Sequence, residues 1–181
     1  MKQGIIYTIS LNIEENNKKF FRYYYTKCWD NHKPKIIAIL LNPSKATLTR
    51  NDKTLDFLTE YFINKGYGSM TILNLFSFMC TCSNKISNTK QEYEKKNWQY
   101  VKRYINKNKE KDFFIGWGNS FYSIKNDKFI QKAKGKKKDI ESFFRKNKLK
   151  DKVFCFRSQW GKALHPSRYK ENWEYGKYFL N

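Results

Sequence analysis

The sequence predicts an α/β protein built on a parallel sheet and preceded by an antiparallel hairpin. Three observations carry this. Four short apolar runs, each ending in a loop of polar or glycine residues, alternate with segments of helical period. The first run, Ile36 to Leu41, is apolar at all six positions without alternation, as suits a strand covered on both faces. Residues 1–35 instead hold two strand-like segments around a polar turn, which reads as a hairpin element.

In chain order, Ile5 to Ile9 and Phe20 to Tyr25 are expected to pair around a turn at Glu14 to Asn17. The loop Asp30 to Pro34, with His32 as a solvated residue, leads into the strand at 36–41. Asn42-Pro43 ends that strand, because Pro43 brings no N–H to a ladder and its ring restricts Asn42. A helix should start near Asn51 or Asp52, carry Leu55, Leu58 and Phe62 on one face, and end at Gly66 and Gly68. The next strand is Met70 to Phe76, followed by a loop over 80–88. Thr89-Lys90-Gln91-Glu92 fits a capping box, and the helix behind it places Tyr93, Asn97, Tyr100, Val101 and Tyr104 on one side. A third strand, Asp112 to Ile115, closes in Gly116-Trp117-Gly118-Asn119. Residues 119–147 read as helical in pieces, interrupted by the lysine run 132–138 as a solvated or phosphate-contacting loop. A fourth strand, Lys152 to Phe156, precedes the loop from Ser158 to Ser167, and the tail 168–181 is aromatic and basic. No repeat or second domain is visible, so residues 1–181 form one domain.

Charge narrows the partner. Only 16 acidic residues face 37 basic ones, giving a net charge of +21, which a Lys-rich composition alone does not explain. A polyanion is therefore expected, with nucleic acid ahead of an anionic membrane. No apolar run approaches a membrane span and no signal peptide opens the sequence. Cys28, Cys80, Cys82 and Cys155 form no CxxC pair, which fits a reduced, cytoplasmic protein. His32 and His165 are the only histidines, and the spacing suits neither zinc nor iron–sulfur ligation, so no metal or other cofactor is expected.

Right-handed crossovers bring the carboxyl ends of parallel strands to one edge, where ligands of open α/β sheets bind. The loops beginning at Asn42, Asn74, Gly116 and Ser158 should therefore meet in one cleft offering Asn42, Ser44, Asn74, Ser77, Ser158, His165 and Ser167, with Arg50 and Asp52 near in sequence. The chain has no nucleophile elbow, P-loop, GxGxxG or acidic magnesium cluster. Neutral amides plus one histidine suit a planar, amide-rich ligand such as a nucleobase, because a carboxamide offers both a donor and an acceptor. Asn42 also reads as a turn former, and a structural loop residue is the alternative reading of His165. Asn74, inside an apolar strand, calls for a partner, since a buried unpaired amide is costly.

In this order the motifs resemble those of the uracil-DNA glycosylase superfamily. They are Asn42-Pro43-Ser44 after the first sheet strand, Leu73-Asn74 at a strand end, Ile115-Gly116-Trp117-Gly118, and His165-Pro166-Ser167. Residues 20–170 also resemble the family called domain of unknown function 1643, through Leu41 to Ser44, Asp52 with Thr54, and Asn74-Leu75-Phe76. The first resemblance implies a three-layer sandwich with a central four-stranded parallel sheet flanked by helices. It implies a nucleotide flipped from single- or double-stranded DNA. Asn74 would read its base, with Ser44 and Phe76 lining the pocket. Asn42 would place the attacking water and His165 would stabilise the departing base. Lys162, Ser167, Arg168 and Tyr169 would hold the DNA. With Asn42 standing where an acid often stands, excision of uracil or a modified base should be weak. The alternative is a lapsed glycosylase that binds DNA or a protein partner without excision. A hydrolase or sensor of small nucleotides is the third reading, disfavoured by the basic excess. A monomer is expected.

Overall fold

The structure is a computed structural model and describes residues 8–16, 19–44, 52–80, 91–118, 126–157 and 163–180. These form seven strands, β1 (Thr8–Asn16), β2 (Lys19–Cys28), β3 (Lys35–Leu40), β4 (Ser69–Asn74), β5 (Asp112–Ile115), β6 (Val153–Arg157) and β7 (Glu174–Lys177). The three helices among the described residues are α1 (Lys53–Asn64), α2 (Gln91–Lys107) and α3 (Asp127–Lys146). The α/β class holds, but the sheet is larger than the expected four strands. It is a single mixed sheet of order β1-β2-β4-β3-β5-β6-β7. β4, β3, β5 and β6 run parallel at its centre. The hairpin β1–β2 is not a separate element, because β2 pairs antiparallel with β4. On the other edge β7, which the tail's composition does not announce, pairs antiparallel with β6.

β3 is apolar throughout because both its faces are covered. Ile37 and Ile39 pack with Val101 and Ile105 of α2 and Phe129, Ala133, Ile140 and Phe144 of α3. Ile36, Ala38 and Leu40 pack with Leu55, Leu58 and Phe62 of α1. The two sets define an α2–α3 face and an α1 face of the sheet, each with its own core.

Several boundaries differ from the sequence reading. β1 runs to Asn16, so the turn does not begin at Glu14. Ile5 to Tyr7, Asn17, Arg50, Asn51, Cys82, Thr89, Lys90, Asn119 and the segment 158–162, which includes Lys162, lie outside the described residues. The lysine run 132–138 is not a loop: α3 is continuous through it. Lysine is a good helix former, and Phe129, Ala133, Ile140 and Phe144 bury one stripe of the helix. Gly135 faces open space, so it costs propensity but no packing. Two of these lysines also have partners inside the fold. Lys136 pairs with the buried Glu94 at 2.7 Å, and Lys137 donates to the Gly118 carbonyl at 2.6 Å. Burial lowers the Lys137 pKa to about 8, with Glu141 opposing.

Candidate functional site

The carboxyl ends of β3 and β4 stay joined after the strands finish. The Leu75 and Phe76 amides donate to the Leu40 and Leu41 carbonyls, and the Cys80 amide to that of Pro43. Asn42 fastens the same junction. Its Nδ2 donates to the Cys80 carbonyl at 2.8 Å and the Pro43 carbonyl at 3.1 Å. Two carbonyls can only accept, so they fix which end of the amide is nitrogen. Oδ1 is then the end left to receive a donor. Asn42 thus serves as a turn former and keeps an acceptor at the sheet edge.

Asn74 is different in kind. It closes β4, in register with Leu40 of β3. Met70 and Ile72 belong to the α1 core and Leu73 to the α2–α3 core. Alternation therefore puts the Asn74 side chain on the α1 face, beside Leu40. The residue is 0% exposed, and neither Oδ1 nor Nδ2 has a hydrogen-bond partner among the described residues. Each such atom costs about 1–3 kcal/mol. Its backbone carbonyl, by contrast, accepts from Asn97 Nδ2 at 2.9 Å.

Glycines let the third and fourth loops close on this edge. A Cβ on Gly116 would stand 2.7 Å from Leu40 Cδ2 and 3.1 Å from Pro166 Cδ, so the His-Pro loop seats against β3 only because none is there. Gly118 has φ +73° and lies under His165, whose Cβ is 3.2 Å from where a Gly118 Cβ would be. His165 caps a short 3₁₀ turn, Pro166–Arg168. Its Nδ1 accepts from the Ser167 amide at 3.2 Å and sits 2.8 Å from Ser167 Oγ. An amide can only donate, so Nδ1 is unprotonated and Nε2 carries the hydrogen. Burial first, then Arg168, push the imidazole below its ordinary value, with Asp52 opposing. A neutral ring with an Nε2–H donor results, suited to an oxygen that gains negative charge.

The α1 side of the edge holds Asp52 and Arg22. Asp52 caps α1, accepting from the Thr54 amide at 2.9 Å and the Leu55 amide at 3.4 Å. Its charge acts on both His165 and Arg22. Arg22 is 2% exposed, and burial brings its pKa down to about 10 against the opposing pull of Tyr25 and Asp52. It reaches this face through a bulge. β1 pairs Asn12 with Tyr24 and then Ile13 with Arg22, so Tyr23 is the extra residue. Tyr23 stacks on Tyr100 of α2, and Tyr24 packs into the α2–α3 core. One inserted residue flips everything before it to the other face. Arg22 accordingly sits with Tyr25 on the α1 side, its guanidinium carbon 5.3 Å from that ring's centre.

The structure thus brings Asn42, Asn74, His165, Gly116 and Gly118 to one edge. Phe76 does not join Asn74. It is fully buried on the α2–α3 face, 5.2 Å from the Phe129 ring, with Lys136 over it. Ser44 is half-buried at the end of the described β3 loop. Ser167 and Arg168 are exposed. Tyr169 is half-buried against Phe57 of α1 at 4.7 Å and Phe156 of β6 at 5.1 Å, an aromatic packing contact. The sequence reading passed over Arg22. The signal was a lone arginine within Phe20 to Tyr25, but the bulge that aims it leaves no mark in the composition.

A protein-family model described as a protein of unknown function (DUF1643) matches residues 22–167. No curated protein matches the chain. Among the described residues no helix is long and apolar enough to cross a membrane, and no group of three or more His, Cys, Asp or Glu could hold a metal ion.

Proposed function

The chain belongs to the DUF1643 family, and from that premise we propose that it is a DNA-binding protein of the uracil-DNA glycosylase superfamily. In this reading it takes a flipped nucleobase into the Asn74 corner and excises uracil or a modified base weakly. The observation that carries this is the Asn74 carboxamide, sealed at the carboxyl edge with both its donor and its acceptor uncommitted among the described residues. A buried amide with neither end paired is costly and calls for a partner. A nucleobase edge supplies the complementary acceptor and donor. The net charge of +21 supports a polyanionic substrate independently.

The mechanism follows from the side chains. Asn74 holds the base edge. Asn42 Oδ1 accepts a hydrogen bond from a water and orients it toward the sugar C1′. The water oxygen bonds to C1′ as the C1′–N bond breaks, and that electron pair leaves on the base. His165 Nε2–H donates to the base oxygen where this charge accumulates. The water's proton passes to solvent or to the base anion. Asn42 is not a base, so the water is placed but not deprotonated, and turnover is slow. The same observation favours the second reading, a glycosylase fold that binds DNA without excision.

The test is incubation with single- and double-stranded oligonucleotides carrying uracil or modified bases, followed by alkali to cleave abasic sites. Strand cleavage lost in Asn74→Ala and His165→Ala supports excision. Salt-sensitive binding with no abasic product on any base leaves the non-excising reading. Absence of DNA affinity at low salt removes both.

A further inference from the structure

Arg22 has no role in the chemistry above, yet its position is specific. A guanidinium 2% exposed at the ligand edge of a sheet is expensive to desolvate. The β2 bulge aims it there, and bulges next to functional sites commonly re-aim a side chain. From its backbone beside Ser77, to whose carbonyl its amide donates at 2.8 Å, the side chain runs back along β2 to Tyr25. Tyr25 stands opposite Ile72, two residues before Asn74 on the same face. Arg22 and Asn74 therefore share one corner of the α1 face, and Asp52 is the carboxylate whose charge reaches Arg22.

A carboxamide offers one donor group and one acceptor. A guanidinium offers only donors and a permanent positive charge. Together they complement a ring edge with a carbonyl oxygen next to an N–H, above all one whose oxygen carries negative charge. We propose that Arg22 is a charge-stabilising residue of the Asn74 corner, which makes the site prefer nucleobases whose ring N–H is acidic. The inference rests on the nucleobase reading above and adds the group that offsets the missing acid. Arg22 takes up charge on the departing base that the neutral His165 can only hydrogen-bond. Asp52 attenuates this by drawing on the same guanidinium.

The probes are uracil, 5-fluorouracil and 5-nitrouracil, whose N–H acidity rises in that order. Their binding to the full chain is measured by ligand-observed NMR at one pH and one ionic strength. In the wild-type protein affinity is expected to rise along the series by about tenfold or more. Arg22→Gln should level the series, and Arg22→Lys, which keeps the charge but not the planar fork, should keep part of the slope. Asp52→Asn keeps the helix cap, because Asn caps as well as Asp. It should tighten 5-nitrouracil about three- to tenfold while leaving uracil nearly unchanged. A purely structural Arg22 predicts none of this selectivity. A level series in the wild-type protein, or an unchanged slope in Arg22→Gln, overturns the proposal and leaves the nucleobase reading standing. If none of the three binds, the nucleobase reading fails and this inference with it. Should Arg22→Gln not fold, the wild-type series, Arg22→Lys and Asp52→Asn decide the matter.

Discussion

Two buried asparagines should respond in opposite directions to the same substitution. Asn74 and Asn97 are 0% and 1% exposed, and each would keep its branched skeleton as leucine. Asn74 makes no side-chain hydrogen bond among the described residues, so Asn74→Leu removes two orphaned polar atoms at about 1–3 kcal/mol each. The bulkier methyl groups cost about 1–3 kcal/mol in repacking. The net expectation is a protein more stable by about 2 kcal/mol, which raises Tm by about 4–8 °C at this chain length. Asn97 Nδ2 instead bonds the carbonyls of Asn74 and Leu75 at 2.9 and 3.3 Å. Asn97→Leu strands both carbonyls at about 1–3 kcal/mol each and removes one partnerless atom, its own Oδ1, so it should destabilise by about 2 kcal/mol. Thermal and urea unfolding of the two variants read the signs directly. Loss of more than about 1 kcal/mol in Asn74→Leu would show that its amide is paired in the native protein, and the case for a ligand there would fall.

Other outcomes follow from the same geometry. Gly118→Ala forces a Cβ into a left-handed backbone and against His165, so it should cost about 1–2 kcal/mol and reduce any base excision through the displaced imidazole; wild-type stability and turnover would contradict this. The buried Glu94–Lys136 pair, further tied by the Ser77 amide and hydroxyl, should lose about 3 kcal/mol in Lys136→Met, whereas Lys96→Met at the exposed Glu14 pair should lose less than about 1 kcal/mol in urea melts. His165 is held below its ordinary 6.5, so the unfolded chain binds the proton more tightly than the native one. Its contribution is present above pH 6.5 and lost as pH falls below it, so His165→Gln should flatten the stability–pH curve there. An unaltered curve would refute the burial argument.

Much of this was legible in the chain itself. Unbroken apolar character gave β3 away, because a strand covered on both faces has no polar side to show. The stops at Asn42-Pro43 and Gly116-Trp117-Gly118 located the strand-end loops, since proline and glycine act on the local backbone wherever they sit. Asn74 stood out for the same local reason, an amide where only apolar groups belong. Local pattern could not decide what depends on partners far along the chain. The lysine run is helix because Phe129, Ala133, Ile140 and Phe144 in and around it bury one stripe against the sheet, with Glu94 and the Gly118 carbonyl receiving two of its amines, and β7 became a strand because β6 offers an edge. Phe76 went to the α2–α3 core since it leaves the alternation that the chain keeps through Leu75, which shares that core with Leu73. Arg22 depends on tertiary pairing most of all: a single extra residue at Tyr23, defined only where β1 pairs with β2, turns it from one face of the sheet to the other.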